Sequence, residues 1–264
     1  MLDLRGDKLI ALDRRVSQWI DELSKATRQK REKHDLKVCY KDGDKRNLVT
    51  DIDRENQKAL IQKILTLDEE AAFVCEEAGE ACAESMDGQV WFVDPIDGTM
   101  NFVQENRDYA IMLALYEDGK PILGWIYDVP EGRLFHGGPT IGTYKDGEKL
   151  PPVQDESLSN SVVIVSGRRL VSGEKPYAQL AKKALAYRVL GSAGITFTRL
   201  LVGSATAYLS KLLPWDLAAG RALAEGLGYE VKNLDCSSPN MLLSNTVLIA
   251  TTKIHRELVK MLKD

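Results

Sequence analysis

The sequence predicts an α+β first half followed by an α/β second half. Three patterns lead to this fold class: apolar residues at helical spacing near the N-terminus, short β-rich runs from residue 90 to 144, and alternating strand-like and helical segments beyond residue 152. We therefore expect two domains, one over residues 1–152 and the other over residues 153–264.

Two amphipathic helices are expected ahead of the β-rich region. Apolar residues from Leu9 to Leu23 recur every three or four positions, and this helix continues into the basic run Arg28 to Lys33, which we interpret as a solvated helix end. A second helical pattern covers residues 54–65. Asp53 stands directly before it, where a carboxylate can act as an N-cap.

The β-rich region has the pattern of an antiparallel meander. Its runs are VWFVD, AIMLALY, ILGWIYD, RLFHG and IGTY. Turns rich in Asp, Gly and Pro separate these runs, as is typical of hairpin connections. Pro151 and Pro152, followed by the polar residues 154–160, mark a domain boundary or a crossover.

The second half alternates strands with helices. The strand-like runs are SVVIVS, YRVLGS, YEVKN and TVLIATT. The helical patterns cover residues 175–186, 194–204 and 215–227. This alternation is typical of α/β layering.

Composition and charge exclude several classes of protein. The chain of 264 residues has a formal net charge of −4, so it lacks the positive field that binds nucleic acid polymers or anionic membranes. The longest purely apolar stretch, Ala110 to Tyr116, is too short to span a bilayer. Four scattered cysteines indicate reduced thiols rather than a disulfide scaffold. We expect a cytoplasmic protein whose partner is a small molecule.

The run WFVDPIDGTMNF, residues 91–102, has the residue types of a metal and phosphate site. We expect the apolar strand to end at Asp94, where Pro95 interrupts the ladder. Asp97 follows three residues later, and two converging carboxylates repel each other unless a cation such as Mg²⁺ or Mn²⁺ lies between them. Gly98 leaves the backbone N–H groups open to a phosphate oxygen. The alternative is a simple tight loop, because Asp, Pro and Gly are common turn residues.

Two further acidic residues stand where a site could use them. Glu76 follows the apolar run Ala71 to Cys75 and so lies at an expected strand end, although a Glu pair is more often a solvated surface feature. Asp216 lies in PWDLAAG, where Pro214 opens a helix. Its carboxylate would be stabilised by the helix dipole, or it could be only a cap.

Four segments together resemble the inositol monophosphatase family. They are Asn47 to Asp53 (NLVTDID), Glu76-Glu77, WFVDPIDGTMNF and PWDLAAG. The first is similar to a D-x-V-T-x-x-D segment of that family, with Asn47 in place of its first Asp. The resemblance covers most of the chain and implies a layered αβαβα sandwich, a homodimer, and inhibition by Li⁺ that varies among members.

The resemblance also implies roles for individual residues. Those matching the metal ligands, which hold two or three Mg²⁺ ions, are Glu76, Asp94, Asp97, Asp216 and the carbonyl of Ile96. Those matching the groups that activate the attacking water are Asp53 and Thr99, assisted by Glu76. Those matching phosphate or substrate contacts are Asp97, Gly98, Thr99, Ser192 and Ala193. Such a site cleaves a phosphate monoester by direct attack of water, without a phosphoenzyme.

The chain departs from animal members of the family near the predicted substrate. Where those members carry a Glu that binds inositol, this sequence offers Ser210 or Lys211. Lys211 is either an exposed lysine or the partner of a second phosphate. Ser166, at the end of the run SVVIVS, and Arg168 stand where relatives contact substrate, and Arg168 or Arg169 could hold a second anionic group. In the N-terminal loop either Lys41 or Lys45 could serve the third metal position.

These observations leave several functions open. An ester of the inositol 1-phosphate type is favoured as substrate, and the alternatives are 3′-phosphoadenosine 5′-phosphate, fructose 1,6-bisphosphate and NADP. A haloacid-dehalogenase-type phosphatase has a D-x-D-G-T motif with a nucleophilic Asp, but the carboxylates here are three residues apart rather than two. A further alternative is a non-catalytic regulatory protein that retains the fold. Such a protein should have lost at least one metal ligand, whereas all the matched carboxylates are present here.

Overall fold

Two β-sheets alternate with three layers of helices in the computed structural model, which describes residues 1–33, 36–45, 48–77 and 82–263. The α-helices in these residues are α1 (Asp7–Lys33), α2 (Asp51–Leu65), α3 (Thr99–Glu105), α4 (Gly167–Val171), α5 (Lys175–Lys183), α6 (Ala193–Leu201), α7 (Pro214–Glu225) and α8 (Thr252–Lys263). The strands are β1 (Val38–Tyr40), β2 (Leu48–Thr50), β3 (Ala72–Cys75), β4 (Gln89–Asp97), β5 (Ala110–Glu117), β6 (Lys120–Asp128), β7 (Arg133–Gly138), β8 (Gly142–Lys145), β9 (Glu148–Lys149), β10 (Val162–Val165), β11 (Ala186–Arg188), β12 (Ala207–Leu212), β13 (Glu230–Asn233) and β14 (Asn245–Ala250).

The larger sheet contains the predicted meander. Its seven strands follow chain order from β3 to β9, and every neighbouring pair is antiparallel except β3 and β4, which are parallel. The smaller sheet has the order β11-β10-β12-β14-β13. Its pairs β10–β11 and β10–β12 are parallel, whereas β14 is antiparallel to both neighbours. The short strands β1 and β2 form a separate antiparallel pair.

Three apolar clusters hold these layers together. The first joins α1 and α2 to one face of the larger sheet, with Val16, Leu60 and Trp91 fully buried within it. The second fills the space between the two sheets and includes Phe197 of α6 and Leu217 of α7. The third packs α5 and α8 on the outer face of the smaller sheet. The layers therefore run helix, sheet, helix, sheet, helix, and the predicted αβαβα sandwich is confirmed.

The predicted domain boundary at residue 152 falls between the two sheets. Helices α6 and α7 belong to the second half of the chain, yet they share one apolar cluster with strands of both sheets. The division into two domains stays a prediction, and the buried layer between the sheets is common to both halves. No helix in the described ranges is long and apolar enough to cross a membrane.

Strand β4 is longer than the sequence predicts. It does not end at Asp94 but continues to Asp97, and its register against β5 shifts between these two residues. Asp94 pairs with Met112 and Asp97 with Ala110, so β4 contains one extra residue there. Such a bulge accommodates Pro95, which lacks the N–H of a regular ladder. The expectation that proline ends the strand was therefore wrong.

Two helix boundaries also differ from the sequence-based prediction. Helix α2 begins at Asp51, and Thr50 rather than Asp53 is its N-cap. Asp53 lies at the third helical position, and its carboxylate accepts the Thr50 N–H over 2.9 Å, as in a capping box. The helix predicted over 175–186 ends at Lys183, and residues from Ala186 onward belong to β11.

Candidate active site

An acidic cluster lies between the two halves of the chain. Asp94 and Asp97 flank the bulge of β4, and Asp216 lies in the first turn of α7. One carboxylate oxygen from each of them lies within 4.8 Å of those of the other two. These three residues, with Glu76, Ile96, Gly98 and Thr99, line a cavity of about 210 Å³. Seven residues that the sequence predicts as ligands or phosphate contacts thus line one cavity.

The parallel pairing of β3 and β4 brings Glu76 to this cluster. Cys75 pairs with Val93, and the next residue along β3, Glu76, donates its N–H to the Val93 carbonyl over 3.1 Å. Because β3 and β4 are parallel and Cys75 is opposite Val93, the residues that follow these two, Glu76 and Asp94, are neighbours. The prediction that Glu76 lies at a strand end is confirmed.

Burial and mutual repulsion disfavour the charged forms of these carboxylates. Burial, followed by the charges of Glu76 and Asp97, raises the pKa of Asp94 well above its ordinary value. Burial likewise raises the pKa of Glu76, although the charge of Lys41 opposes that shift. Burial and the charge of Asp97 raise the pKa of Asp216. A cation among these oxygens would remove the repulsion that produces part of the shifts.

The unpaired oxygen of Asp94 fits a divalent cation. Asp94 is 1% exposed, and its Oδ1 atom is buried without a hydrogen-bond partner among the described residues. A buried carboxylate oxygen in that state is costly unless it binds a donor or a metal. The carboxylates of Glu76, Asp97 and Asp216 line the same cavity, and such hard oxygen donors are the type that Mg²⁺ and Mn²⁺ prefer.

Asp97 is held by the N-terminus of α6. Its Oδ1 accepts the Ala193 N–H over 3.0 Å, and its Oδ2 accepts the Gly194 N–H over 2.7 Å. The Ser192 hydroxyl also donates to Oδ2. Ser192 and Ala193 were predicted as substrate contacts, and here their donors bind Asp97. Burial raises the pKa of Asp97, and the hydrogen bond from Ser192 opposes this effect.

Asp53 and Thr99 lie next to each other beside the acidic cluster. The Thr99 hydroxyl is 3.2 Å from Asp53 Oδ1 and 3.0 Å from the Ile96 carbonyl. Thr50 binds the other oxygen of Asp53 through both its N–H and its hydroxyl. Burial raises the pKa of Asp53 to about 6 in spite of these hydrogen bonds. The pair therefore has the geometry of a hydroxyl oriented by a fixed carboxylate.

Gly98 is required by a close approach at the start of α3. It has a φ of +84°, and a Cβ atom there would lie 2.9 Å from Ser192 Cβ and 3.1 Å from the Asp108 carbonyl oxygen. A side chain would therefore be disfavoured by both the backbone conformation and the contact with Ser192. This contact brings the predicted phosphate-binding turn against the start of α6.

Lys41 rather than Lys45 contacts an acidic residue of the site. The Lys41 ammonium lies 3.0 Å from Glu76 Oε1 and 2.6 Å from Glu77 Oε1. Burial lowers the pKa of this ammonium, but the charges and hydrogen bonds of the two glutamates raise it by more, so the pKa of Lys41 is raised. Asn47, the departure from the family pattern, lies outside the described residues.

A second cavity opens from the acidic cluster toward the smaller sheet. It has a volume of about 440 Å³, and its lining includes Asp97 and Asp216 together with Ser166, Arg168 and Lys211. A neighbouring cavity of about 580 Å³ shares those last three residues. Within the described part of the chain, the side chains of Arg168 and Lys211 form no ion pair.

Sequence reasoning assigned no role to several residues that shape the site. They are Thr50, Asn56, Gln57, Glu77 and Gly194. The first three had a detectable signal, because Thr50 stands three residues before Asp53 and the polar side chains of α2 recur at helical spacing on one face. The contact between Gly194 and Asp97 spans 97 residues, which no local pattern indicates.

Comparisons with known proteins agree with this geometry. A model of the inositol monophosphatase family matches residues 8–264. The inositol-1-monophosphatase of Bacillus subtilis is 29% identical over 250 residues, which cover 93% of this chain and 94% of that protein. A staphylococcal inositol monophosphatase-1, solved as a LiCl-soaked inhibitory complex, has a TM-score of 0.87 at 26% identity and covers 96% of this chain and 95% of its own.

A second solved structure has the same degree of similarity. It is an IMPase/NADP phosphatase complexed with Mg²⁺ and phosphate, with a TM-score of 0.87, 26% identity, and coverage of 96% of this chain and 95% of that chain. The family match extends over nearly the whole chain and includes every acidic residue of the cluster. The protein therefore belongs to the inositol monophosphatase family, whose members are phosphoric monoester hydrolases.

Proposed function

We propose that this chain is a Mg²⁺-dependent phosphomonoesterase that hydrolyses an ester of the inositol 1-phosphate type. The observation that carries the proposal is the convergence of Asp94, Asp97 and Asp216 within 4.8 Å, with one buried oxygen of Asp94 unpaired. A structural neighbour binds Mg²⁺ and phosphate, and the relative from Bacillus subtilis is named for inositol 1-phosphate hydrolysis.

The cations are assigned to the oxygens of the acidic cluster. Two or three Mg²⁺ ions, or Mn²⁺ as a substitute, would be held by Glu76, Asp94, Asp97, Asp216 and the Ile96 carbonyl. When bound, such ions acidify a water molecule and offset the negative charge of the phosphoryl oxygens. We assign Lys41, rather than Lys45, to the third metal position, because its ammonium contacts the Glu76 carboxylate.

The protein groups orient the reactants. Asp53 accepts a hydrogen bond from the Thr99 hydroxyl, which leaves a lone pair of Thr99 Oγ1 free to accept a hydrogen bond from the attacking water. Asp53 is held in turn by Thr50, so the water is directed by a rigid pair of side chains. The backbone N–H groups of Gly98 and Thr99 bind the phosphate oxygens.

A substrate with a second anionic group is the alternative that a specific observation favours. Arg168 and Lys211 line the cavity that opens from the acidic cluster and form no ion pair within the described ranges. Two such cations suit a second phosphate, as in 3′-phosphoadenosine 5′-phosphate, fructose 1,6-bisphosphate or NADP. In this alternative Ser166, Ser192 and Ala193 border the non-reacting part of the substrate.

Phosphate release with and without metal tests the proposed activity. We expect hydrolysis of inositol 1-phosphate in Mg²⁺, loss of activity in EDTA, and a drop of about 100-fold or more in kcat for Asp94→Asn. Hydrolysis that continues in EDTA, or that is unaffected by the substitution, would falsify the proposal. A folded wild-type protein without activity on any substrate would instead indicate the non-catalytic regulatory alternative.

A comparison of kcat/KM among substrates separates the two substrate classes. The panel is inositol 1-phosphate, 3′-phosphoadenosine 5′-phosphate, fructose 1,6-bisphosphate and NADP. If the second anion is bound by Arg168 and Lys211, Arg168→Ala and Lys211→Ala should each lower kcat/KM for the bisphosphates by about 10-fold and leave inositol 1-phosphate nearly unchanged. Equal effects on both classes would exclude this role.

The assembly and inhibition are proposed on separate grounds. Strand β11 is at the edge of the smaller sheet, and Leu185, Tyr187 and Val189 in and beside it are large, exposed apolar residues. An edge of this kind suits a second copy of the chain, so we propose a homodimer. The scattered cysteines support the further proposal that it is cytoplasmic. Sedimentation of the wild type and of Tyr187→Lys tests this, and a wild-type monomer would refute it. Inhibition by Li⁺ is expected because a structural neighbour forms a LiCl inhibitory complex.

A further inference from the structure

Helix α2 presents three buried polar side chains toward the acidic cluster. Asp53, Asn56 and Gln57 are 0%, 1% and 4% exposed, respectively. Buried amides are costly unless they are hydrogen-bonded, so their partners show what these side chains hold in place. Asn56 reaches the Pro95 carbonyl over 3.4 Å, and Gln57 reaches the segment that follows β3.

Gln57 binds both backbone groups of a single residue. Its Nε2 donates to the Glu77 carbonyl over 2.9 Å, and its Oε1 accepts the Glu77 N–H over 2.9 Å. A side-chain amide has one donor end and one acceptor end, so Gln57 satisfies both backbone groups of Glu77 beyond the end of β3, as a ladder partner would. The backbone of Glu77 is therefore held by α2 rather than by a neighbouring strand.

The residue held next to this contact is Glu76. The Glu76 N–H donates to the Val93 carbonyl of β4. The next peptide group, which joins Glu76 to Glu77, donates its N–H to Gln57 Oε1. The backbone that carries the Glu76 carboxylate is thus held by one contact to β4 and one contact to α2. Lys41 contacts the side chains of both Glu76 and Glu77, and Gln57 opposes any displacement that this charge would cause.

We propose that Gln57 is a positioning residue that fixes the Glu76 carboxylate beside Asp94 and thereby sets the affinity of the site for a divalent cation. The inference rests on the proposed function in one respect, namely that Glu76 is a metal ligand. Residues that orient metal ligands through hydrogen bonds typically change metal affinity by about 10- to 100-fold when they are replaced.

Direct binding of Mn²⁺ to the full chain tests this role without relying on activity. Electron paramagnetic resonance measures free Mn²⁺ during a titration, and the thermal midpoint in EDTA measures the stability of the metal-free protein. Gln57→Met keeps the length of the side chain without its hydrogen bonds, and Gln57→Asn keeps the amide but is too short to reach Glu77. We expect each variant to raise the Kd for Mn²⁺ by about 10-fold.

Matched variants on the same helix and in the same site complete the experiment. Gln62 is exposed on α2, so Gln62→Met and Gln62→Asn should bind Mn²⁺ like the wild type. If both Gln57 variants keep the wild-type Kd while their thermal midpoints fall, the role of Gln57 is merely structural and the inference is wrong. If Gln57→Met does not fold, Gln57→Asn decides.

Asp94→Asn separates failure of this inference from failure of the proposed site. Loss of Mn²⁺ binding in Asp94→Asn, together with wild-type binding in the Gln57 variants, overturns the role of Gln57 alone. Wild-type binding in Asp94→Asn overturns the metal site itself and the inference with it.

Discussion

The Ser192 hydroxyl donates a hydrogen bond to Oδ2 of Asp97, although 95 residues separate them in the chain. The same hydroxyl accepts the Ile195 N–H over 3.0 Å and so caps α6. The Ser192 Oγ atom therefore caps α6 in the second half of the chain and also binds Asp97 in the first half. Because α6 packs between the two sheets, the acidic cluster depends on the packing of that layer.

Replacing Ser192 with alanine should affect stability and metal affinity together. The variant loses the cap of α6, which typically costs about 1 kcal/mol, and it leaves Asp97 Oδ2 with one donor fewer. We expect Ser192→Ala to lower the free energy of unfolding by about 1–2 kcal/mol and to weaken Mg²⁺ binding. Urea denaturation in EDTA and a Mg²⁺ titration measure the two effects. Ser166 caps α4 without a side-chain hydrogen bond, so Ser166→Ala is the control and should leave stability nearly unchanged.

Gly98 and Gly147 form a matched pair for testing the close approach at the phosphate-binding turn. Their φ angles are +84° and +85°, but a Cβ at Gly98 meets Ser192 at 2.9 Å, whereas a Cβ at Gly147 has nothing within 4 Å. Gly147→Ala should cost only the backbone strain, about 1 kcal/mol. Gly98→Ala should cost about 2–4 kcal/mol and should also lower kcat/KM. Equal losses of stability in the two variants would show that the contact with Ser192 is unimportant.

The fold and most of the candidate site could be predicted from the sequence, because they depend either on patterns of nearby residues or on segments that resemble those of the family. The meander, the strand end at Glu76 and the helix that begins at Pro214 each follow from residues a few positions apart. The bulge at Pro95 could not be predicted, because proline usually ends a strand and only the pairing with β5 shows that β4 continues. The contacts of Gln57 with Glu77 could not be predicted either, since they depend on how α2 packs.

The acidic cluster should make the metal-free protein less stable than the metal-bound one. Burial, and after it the charges of neighbouring carboxylates, raise the pKa of Asp94 and Asp216, and a bound cation relieves the repulsion between these charges. At 100 times its Kd, each bound Mg²⁺ ion should add about 2.7 kcal/mol of stability, and one such ion corresponds to about 5–10 °C in Tm for a chain of this size. Calorimetry in EDTA and in Mg²⁺ measures this shift, with KCl at equal ionic strength as the control.

Asp94→Asn should change the Tm in EDTA and also the increase in Tm that Mg²⁺ causes. It removes one of the repelling charges, so its Tm in EDTA should be higher than that of the wild type. It also removes a proposed ligand, so the increase in Tm caused by Mg²⁺ should nearly disappear. A variant that is stabilised by Mg²⁺ as much as the wild type would contradict the assignment of Asp94 as a ligand.

Asp128, at the end of β6, should make the protein less stable as the pH rises. Burial raises the pKa of Asp128 to about 6, although the Glu131 N–H opposes this. An unfolded Asp titrates near 3.9, so the folded state holds the extra proton between about pH 4 and 6, and stability falls across that interval. Asp128→Asn should therefore stabilise the protein by about 1–3 kcal/mol at pH 7 and have little effect at pH 4. Urea denaturation at both pH values measures this, with the exposed Asp87→Asn as control; a pH-independent difference would contradict the argument.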